Sequence, residues 1–120
     1  MTIEECYQKL GGDYSQVCKR FPSSALVERF IAKFLNDGSF QTLTEQLQAG
    51  NREEAFRAAH TLKGVCANLG FDRLFVSASK LTDLLREKED TIPEEAEELY
   101  NTVKQDYEET VSAVRTYLEK

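Results

Sequence analysis

The chain of 120 residues contains one histidine, His60, and the residue types around it suit phosphoryl transfer. A neutral imidazole nitrogen can attack phosphorus, and near pH 7 a free histidine has a large neutral fraction. Lys63 follows three residues later, where a cation can reach the oxygens of a transferred phosphoryl group. Arg57 is a weaker candidate for the same task. The pattern predicts His60 as a phosphoryl acceptor with Lys63 as its stabilising cation.

A helix predicted over residues 52–69 must carry this histidine, and its periodicity turns His60 outward. Asn51 caps its start and Gly70 supplies its stop. A helix turns about 100° per residue. The apolar residues that fall within about 60° of the side opposite His60 are Ala55, Ala58, Leu62, Val65, Cys66 and Leu69. Such a stripe faces a core, so His60 is predicted to face solvent.

The neighbours of His60 on its own face leave the ring accessible. Within about 40° of it lie Phe56, Gly64 and Ala67. Arg57 and Lys63 flank it at about 60°, and Asn68 lies a little further round. Glycine inside a helix costs about 1 kcal/mol relative to alanine, so Gly64 indicates that something approaches closely here. The alternative is that Gly64 makes room for a neighbouring helix.

Other chemistries fit these residues less well. The sequence has no Walker loop and no kinase-type glycine loop. A Cys–His dyad is disfavoured because Cys66 lies about 120° from His60 on the helix. No His-x-x-x-His or Glu-x-x-His pattern predicts a metal site. We therefore expect no kinase or ATPase activity, no metal site and no cofactor in this chain, so that a partner must supply the phosphoryl group and the metal.

Composition narrows the partners and the location. The net charge is -6, with acidic residues concentrated at 87–90, 94–98 and 106–109, which disfavours nucleic acid and anionic membranes. No stretch approaches the roughly 20 apolar residues of a membrane helix, and the acidic N-terminus is unlike a signal peptide. Three cysteines without Cys-x-x-Cys spacing predict neither a zinc site nor a disulfide framework. These features predict one cytoplasmic domain.

The remaining periodicity predicts an all-α fold. Short helices are expected over 2–10 and 13–20, followed by helices over 24–36, 39–49, 52–69, 71–88 and 92–118. The last of these is predicted to start at a capping box formed by Thr91 and Glu94. The helices at 24–36, 52–69, 71–88 and 92–118 are long enough to form an up-and-down four-helix bundle, and their connections are short. The segment 39–49 is predicted to pack as an extra helix near one end, and the short helices lie at the N-terminal end.

The run Ala59-His60-Thr61-Leu62-Lys63-Gly64, followed by Ala67-Asn68-Leu69-Gly70, resembles the signature of histidine-containing phosphotransfer (HPt) domains. The resemblance implies a single domain over 1–120 with its core bundle at about 24–118. It implies that His60 is phosphorylated, that Lys63 stabilises the phosphoryl group and that Gly64 keeps space open for the partner. Gly70 would end the helix. Val65 and Cys66 depart from the small polar pair often found in the family.

The resemblance also implies the partners, which are receiver domains of response regulators and of hybrid sensor histidine kinases. Their aspartate and Mg²⁺ would perform the transfer, in two-component signal transduction, with a monomeric carrier. The docking surface would be the face around His60, formed by Phe56, Arg57, Lys63, Gly64, Ala67 and Asn68. Phe56 is the expected apolar contact.

Two other functions remain open on the sequence. The first is a helical adaptor that binds a receiver or another signalling domain without carrying phosphate. The second, more distant, is the phosphoacceptor hairpin of a dimeric sensor kinase, which would need a dimer interface. The start and end of the chain favour a free-standing carrier over a piece of a hybrid kinase.

Overall fold

A computed structural model describes residues 1–86 and 91–119, and this part of the chain is helical without strands. Its helices are α1 (Ile3–Lys9), α2 (Tyr14–Cys18), α3 (Ser24–Phe34), α4 (Ser39–Gln48), α5 (Arg52–Leu69), α6 (Asp72–Leu85) and α7 (Ala96–Leu118). The predicted all-α class is confirmed. None of these helices is both long and apolar enough to cross a membrane. The acidic run at 87–90 and the predicted helix end at 88 lie outside the described residues.

Helices α4 to α7 form the four-helix bundle. Each packs on the next along the chain, α4 on α5, α5 on α6 and α6 on α7. The first two connections, 49–51 and 70–71, are too short for anything but antiparallel neighbours. Phe40 of α4 closes the bundle against α7, because its ring stacks on Tyr107 with ring centres 4.2 Å apart. Thr44 and Tyr100 add a hydrogen bond of 2.6 Å between their hydroxyl oxygens.

The sequence-based choice of the four bundle helices is wrong for one helix. Helix α4, which was predicted as an extra helix, packs beside α5 in the bundle. Helix α3, which was predicted as a bundle helix, packs on α5 and α7 beyond the end of α4. Phe34 of α3 lies with its ring centre 5.0 Å from that of Phe71. The 23 residues of α7 extend well past the 10 residues of α4. Helices α1 and α3 therefore cover the later part of α7, where Cys6 donates to the carbonyl of Ala113 and Tyr117 hydrogen-bonds Glu28.

The N-termini of the helices agree with some of the predicted capping residues and not with others. Asn51 accepts a hydrogen bond from the backbone of Glu54, as expected of the cap of α5. The capping box expected at Thr91 is wrong, because α7 begins only at Ala96. Pro93 disfavours helical geometry in the residue before it, and the chain turns instead through a hydrogen bond from Ala96 to the Pro93 carbonyl. A capping box does exist at Thr2 and Glu5, at the start of α1.

The short N-terminal helices hold the end of α5. The last carbonyls of any helix lack partners within the helix. Here the Tyr7 hydroxyl donates to the Leu69 carbonyl at 2.7 Å, and Arg20 donates to the carbonyls of Ala67 and Asn68. Gly70 then reverses the chain with φ +73, the left-handed geometry that favours glycine. The predicted stop at Gly70 is confirmed, and α5 is tied down at the end beyond His60.

The three cysteines differ in accessibility. Cys18 is exposed, whereas Cys6 and Cys66 are buried. Burial raises the pKa of the Cys66 thiol to about 12 and also raises the pKa of the Cys6 thiol. Because the thiolate is the reactive form, these two thiols are protected both sterically and by protonation.

We expect one of the three thiols to react with a thiol-specific chromogenic reagent in the folded protein near pH 8, and all three to react in denaturant. The Cys18→Ser variant should lose the native reaction entirely. Rapid native reaction in Cys18→Ser would contradict the packing of α1 and α5 described above.

Candidate functional site

His60 lies on the outer face of α5, as its periodicity predicts. The side chain is exposed, and the opposite face carries the buried residues Ala55, Ala58, Leu62, Cys66 and Leu69. Val65 departs from the prediction in part, because it packs against the core but is only half-buried and also lines a groove. Ala59, next to His60 in the chain, is fully buried, so the boundary between core and surface passes directly beside the histidine.

The His60 ring rests beside the ring of Phe56, one turn earlier in α5. Their ring centres lie 5.9 Å apart, with an angle of 46° between the ring planes. Phe56 is half-buried and packs against the core, so one side of the imidazole has an apolar support. The other neighbours on this face, Gly64 and Ala67, are exposed and too small to cover the ring.

Arg57 and Lys63, the two cations that flank His60, differ in their ion pairs. Arg57 forms ion pairs with Glu53 at 3.0 Å and with Glu54 at 3.1 Å, both on its own helix. Within residues 1–86 and 91–119, Lys63 takes part in no ion pair. An incoming phosphoryl group would have to displace carboxylates from Arg57 but not from Lys63. This contrast supports the sequence-based ranking of Lys63 above Arg57.

Gly64 does not make room for a neighbouring helix. A Cβ atom added to it would meet nothing within 4 Å outside its own helix backbone. The glycine is therefore not explained by internal packing, and the alternative considered in the sequence analysis is wrong. What its small size leaves open is space above the helix, one turn from His60.

A groove runs beside the His60 face on the side of α2 and α3. It has a volume of about 440 Å³ and is lined by Arg20, Phe21, Phe30, Lys33, Phe34, Asp37, Val65, Asn68 and Leu69. Phe21 and Phe30 contact each other with ring centres 5.3 Å apart, and Lys33 lies over the Phe30 ring. Asn68 belongs to both surfaces, so the groove is continuous with the face around His60.

Sequence reasoning found Asn68 but not the groove residues outside α5, nor Arg86, which lies over Phe56 from the end of α6. The guanidinium carbon of Arg86 is 5.7 Å from the centre of the Phe56 ring. A helical wheel describes neighbours on one helix only, and these residues come from other parts of the chain. The one available signal was the aromatic pair Phe21 and Phe30 on either side of the α3 cap.

The described residues contain no cluster of three or more His, Cys, Asp or Glu side chains that could hold a metal ion. What the site does present is one accessible nitrogen nucleophile with an available cation on a convex face. Such a face suits transfer to and from a second protein better than turnover of a small substrate in a pocket.

The comparison with protein families bears on this arrangement. The family model described as Hpt domain matches residues 26–117. The chain belongs to the Hpt domain family. Its fold is the helical bundle of that family, and Hpt domains take part in phosphotransfer within two-component phosphorelays, where they interact with receiver domains. No curated protein and no solved structure matches the chain significantly.

The match to the Hpt family spans α4 to α7 and most of α3 but begins after α1 and α2. Tyr7 of α1 and Arg20, which follows α2, hold the end of α5 and therefore lie outside the matched region. In this Hpt domain they complete the support of the helix that carries His60.

Two glycines of the Hpt domain, Gly64 within α5 and Gly70 directly after it, form a matched pair for a stability test. We expect Gly64→Ala to stabilise the fold by up to about 1 kcal/mol, because alanine is the better helix former and the space is open. We expect Gly70→Ala to destabilise it by at least about 1 kcal/mol, because its φ is left-handed and the new Cβ would lie 2.5 Å from Val17 Cγ2. Urea denaturation followed by circular dichroism measures both. A loss of stability in Gly64→Ala would show that the glycine serves packing after all.

Proposed function

We propose that this Hpt domain is a phosphorelay intermediate, which accepts a phosphoryl group on His60 from a receiver-domain aspartate and passes it to another receiver. The observation that carries the proposal is an exposed imidazole beside a lysine without an ion pair in the described chain. The open space over Gly64 supports it further. The protein then acts as a carrier without kinase or ATPase activity of its own, as a monomer in the cytoplasm.

The phosphoryl-transfer step requires few catalytic groups from the carrier. In the forward step a ring nitrogen of His60 forms a bond to phosphorus while the phosphorus–oxygen bond to the receiver aspartate breaks, and the electron pair stays on the carboxylate. Neutral imidazole has one ring nitrogen without hydrogen, so no general base is required for attack. Lys63 would contact the equatorial oxygens. Mg²⁺ bound at the receiver supplies further charge neutralisation, and the same bonds form and break in reverse when the phosphoryl group leaves.

The proposed docking surface is the face formed by Phe56, Arg57, Lys63, Gly64, Ala67 and Asn68. Phe56 gives it an apolar centre, and the exposed pair of Arg57 with Glu53 gives it a charged rim. A rim of this kind affects encounter rates more than affinity. The groove lined by Phe21, Phe30 and Val65 extends the apolar area on one side, which supports a footprint that reaches beyond α5.

The direct test is phosphoryl transfer from a phosphorylated receiver. We expect radiolabel to move from a cognate receiver, with Mg²⁺ present, to the wild-type protein but not to His60→Gln, and the label to be stable in base and labile in acid. Because His60 is the sole histidine, this single substitution removes every possible phosphohistidine. Receivers that bind the folded protein but transfer no label would instead favour the adaptor, and a stable dimer by sedimentation would favour the sensor-kinase hairpin.

The apolar centre of the surface has its own test. We expect Phe56→Ala to weaken receiver binding about tenfold, the loss typical of one well-packed interface aromatic. The matched control is Val111→Ala, which removes a half-buried apolar side chain on α7, away from α5. Titration calorimetry measures both, and thermal unfolding shows whether each variant is folded. Equal affinity of the Phe56→Ala and Val111→Ala variants would exclude Phe56 from the docking surface.

A further inference from the structure

A second arginine, distant from His60 in sequence, contacts the aromatic ring that lies beside His60. Arg86 is the residue that follows the last turn of α6, and its guanidinium carbon lies 5.7 Å from the centre of the Phe56 ring. The same ring lies with its centre 5.9 Å from that of His60. Phe56 is thus contacted by the proposed phosphoryl acceptor and by a cation from another helix.

The position of Arg86 is set by the packing of α5 on α6. Arg52, the first residue of α5, donates to the carbonyl of Leu85 at 2.6 Å. This hydrogen bond holds the end of α6 against the start of α5, immediately before Arg86. The aromatic face of Phe56 then supports the guanidinium through a cation–π contact. Arg86 is held near the site by two independent contacts of the structure.

Arg57 and Arg86 lie on different flanks of His60 and differ in their carboxylate partners. On the wheel of α5, Phe56 and Lys63 lie on one flank of His60, at about 40° and 60°, and Arg57 lies about 60° away on the other. Because Arg86 contacts Phe56, it lies on the flank of Lys63. Arg57 has two carboxylate partners at 3.0 and 3.1 Å, whereas Arg86 has one, Asp83, at 3.6 Å.

The ion pair of Arg86 with Asp83 is weak enough to be exchanged. Both side chains are more than half exposed, and such pairs contribute little to stability. A phosphoryl group carries close to two negative charges, and the planar guanidinium fork matches its oxygens. The charged groups of this region within the described residues include Lys63, Arg52, Arg57, Glu53 and Glu54 from α5 and Arg86 and Asp83 from α6. Arg52 forms no ion pair there but is engaged by the Leu85 carbonyl, and Arg57 has two carboxylate partners, so Lys63 and Arg86 are the cations that can change partners most readily.

We propose that Arg86 is a second cation of the phosphorylated site, which leaves Asp83 and contacts the phosphoryl oxygens on His60 while Phe56 supports its guanidinium. The proposal rests on the proposed function of His60. The proposal adds Arg86, from the end of α6, as a residue that changes its contacts when His60 is phosphorylated. Phosphorylation of His60 would then be detectable at the end of another helix.

The experiment phosphorylates the intact protein chemically with phosphoramidate, so that no receiver is required. The imidazole nitrogen of His60 forms its bond to phosphorus as the nitrogen–phosphorus bond of phosphoramidate breaks and ammonia leaves with the electron pair. With one histidine in the chain, one phosphohistidine ³¹P signal is expected. Its chemical shift is then followed from alkaline to mildly acidic pH, and the midpoint reports the gain of one proton by the phosphohistidine, whose second ring nitrogen titrates in this range.

We expect Arg86→Met to raise this midpoint by about 0.5 pH unit, the size of one exposed charge–charge contact, because a nearby cation disfavours the gain of a proton by the phosphohistidine. Arg86→Lys should remain closer to the wild type, since it keeps the charge. The matched control Arg57→Met removes the same charge on the other flank and should shift the midpoint by less than half as much. Thermal unfolding checks that each variant is folded.

An unchanged midpoint in Arg86→Met overturns the inference, and so does an equal shift in Arg57→Met, which would reflect net charge alone. An Arg86→Lys shift as large as that of Arg86→Met also overturns it. Lys63→Met, measured alongside, separates the proposals: no shift there would remove Lys63 from the site without affecting Arg86. Failure of the relay itself would appear as absence of transfer from receivers, while the phosphoramidate titration could still succeed.

Discussion

Burial of the apolar stripe on α5 is the interaction on which the remaining features of the site depend. Leu62, Cys66 and Leu69 are nearly or fully buried in the core, and burial of each leucine side chain in this way contributes about 1.5–3 kcal/mol. A rotation of α5 that hid His60 would expose this stripe to water. The outward direction of the histidine is therefore fixed by the core rather than by any contact of the imidazole itself, which leaves the ring free to react.

The outward direction of His60 does not fix the position of α5 along its own axis. Contacts at the two ends of α5 fix that position. At the start, Asn51 caps the first turn and Arg52 reaches the end of α6. At the far end, Tyr7 and Arg20 occupy carbonyls that the helix cannot satisfy, and Gly70 turns the chain away. A helix held at both ends presents the same face each time a partner arrives. Preorganisation of this kind reduces the entropy lost on binding.

The sequence was sufficient for features determined within one helix and insufficient for features that depend on two. The exposure of His60, the cap at Asn51 and the left-handed stop at Gly70 follow from periodicity and local backbone chemistry, and all are present. The choice between α3 and α4 as a bundle wall was wrong because both carry an apolar face, and only the relative lengths of α4 and α7 decide which half of α7 each covers.

The same distinction applies to the site. The wheel placed Val65 in the core because it considered α5 alone, whereas the groove between α5 and α3 leaves that side chain half-exposed. Arg86 could not be found at all, since it is distant in sequence and meets Phe56 only through the packing of α6 on α5. The half-exposure of Val65 and the contact of Arg86 with Phe56 can be predicted only when the spatial arrangement of the helices is known.

Charge explains why an acidic protein can still accept an anionic group. The chain has a net charge of -6, and several of its arginines, including Arg57 and Arg73, are already engaged by its own carboxylates or carbonyls. Engaged cations add little attraction for a phosphoryl group, because any new contact replaces an old one. The general acidity disfavours nonspecific binding of other anions, while a cation without a competing carboxylate beside His60 gives local attraction at the one place where it is useful. For the proposed acceptor, the number of cations matters less than the presence of Lys63 on the same face of α5, since Lys63 forms no ion pair in the described part of the chain.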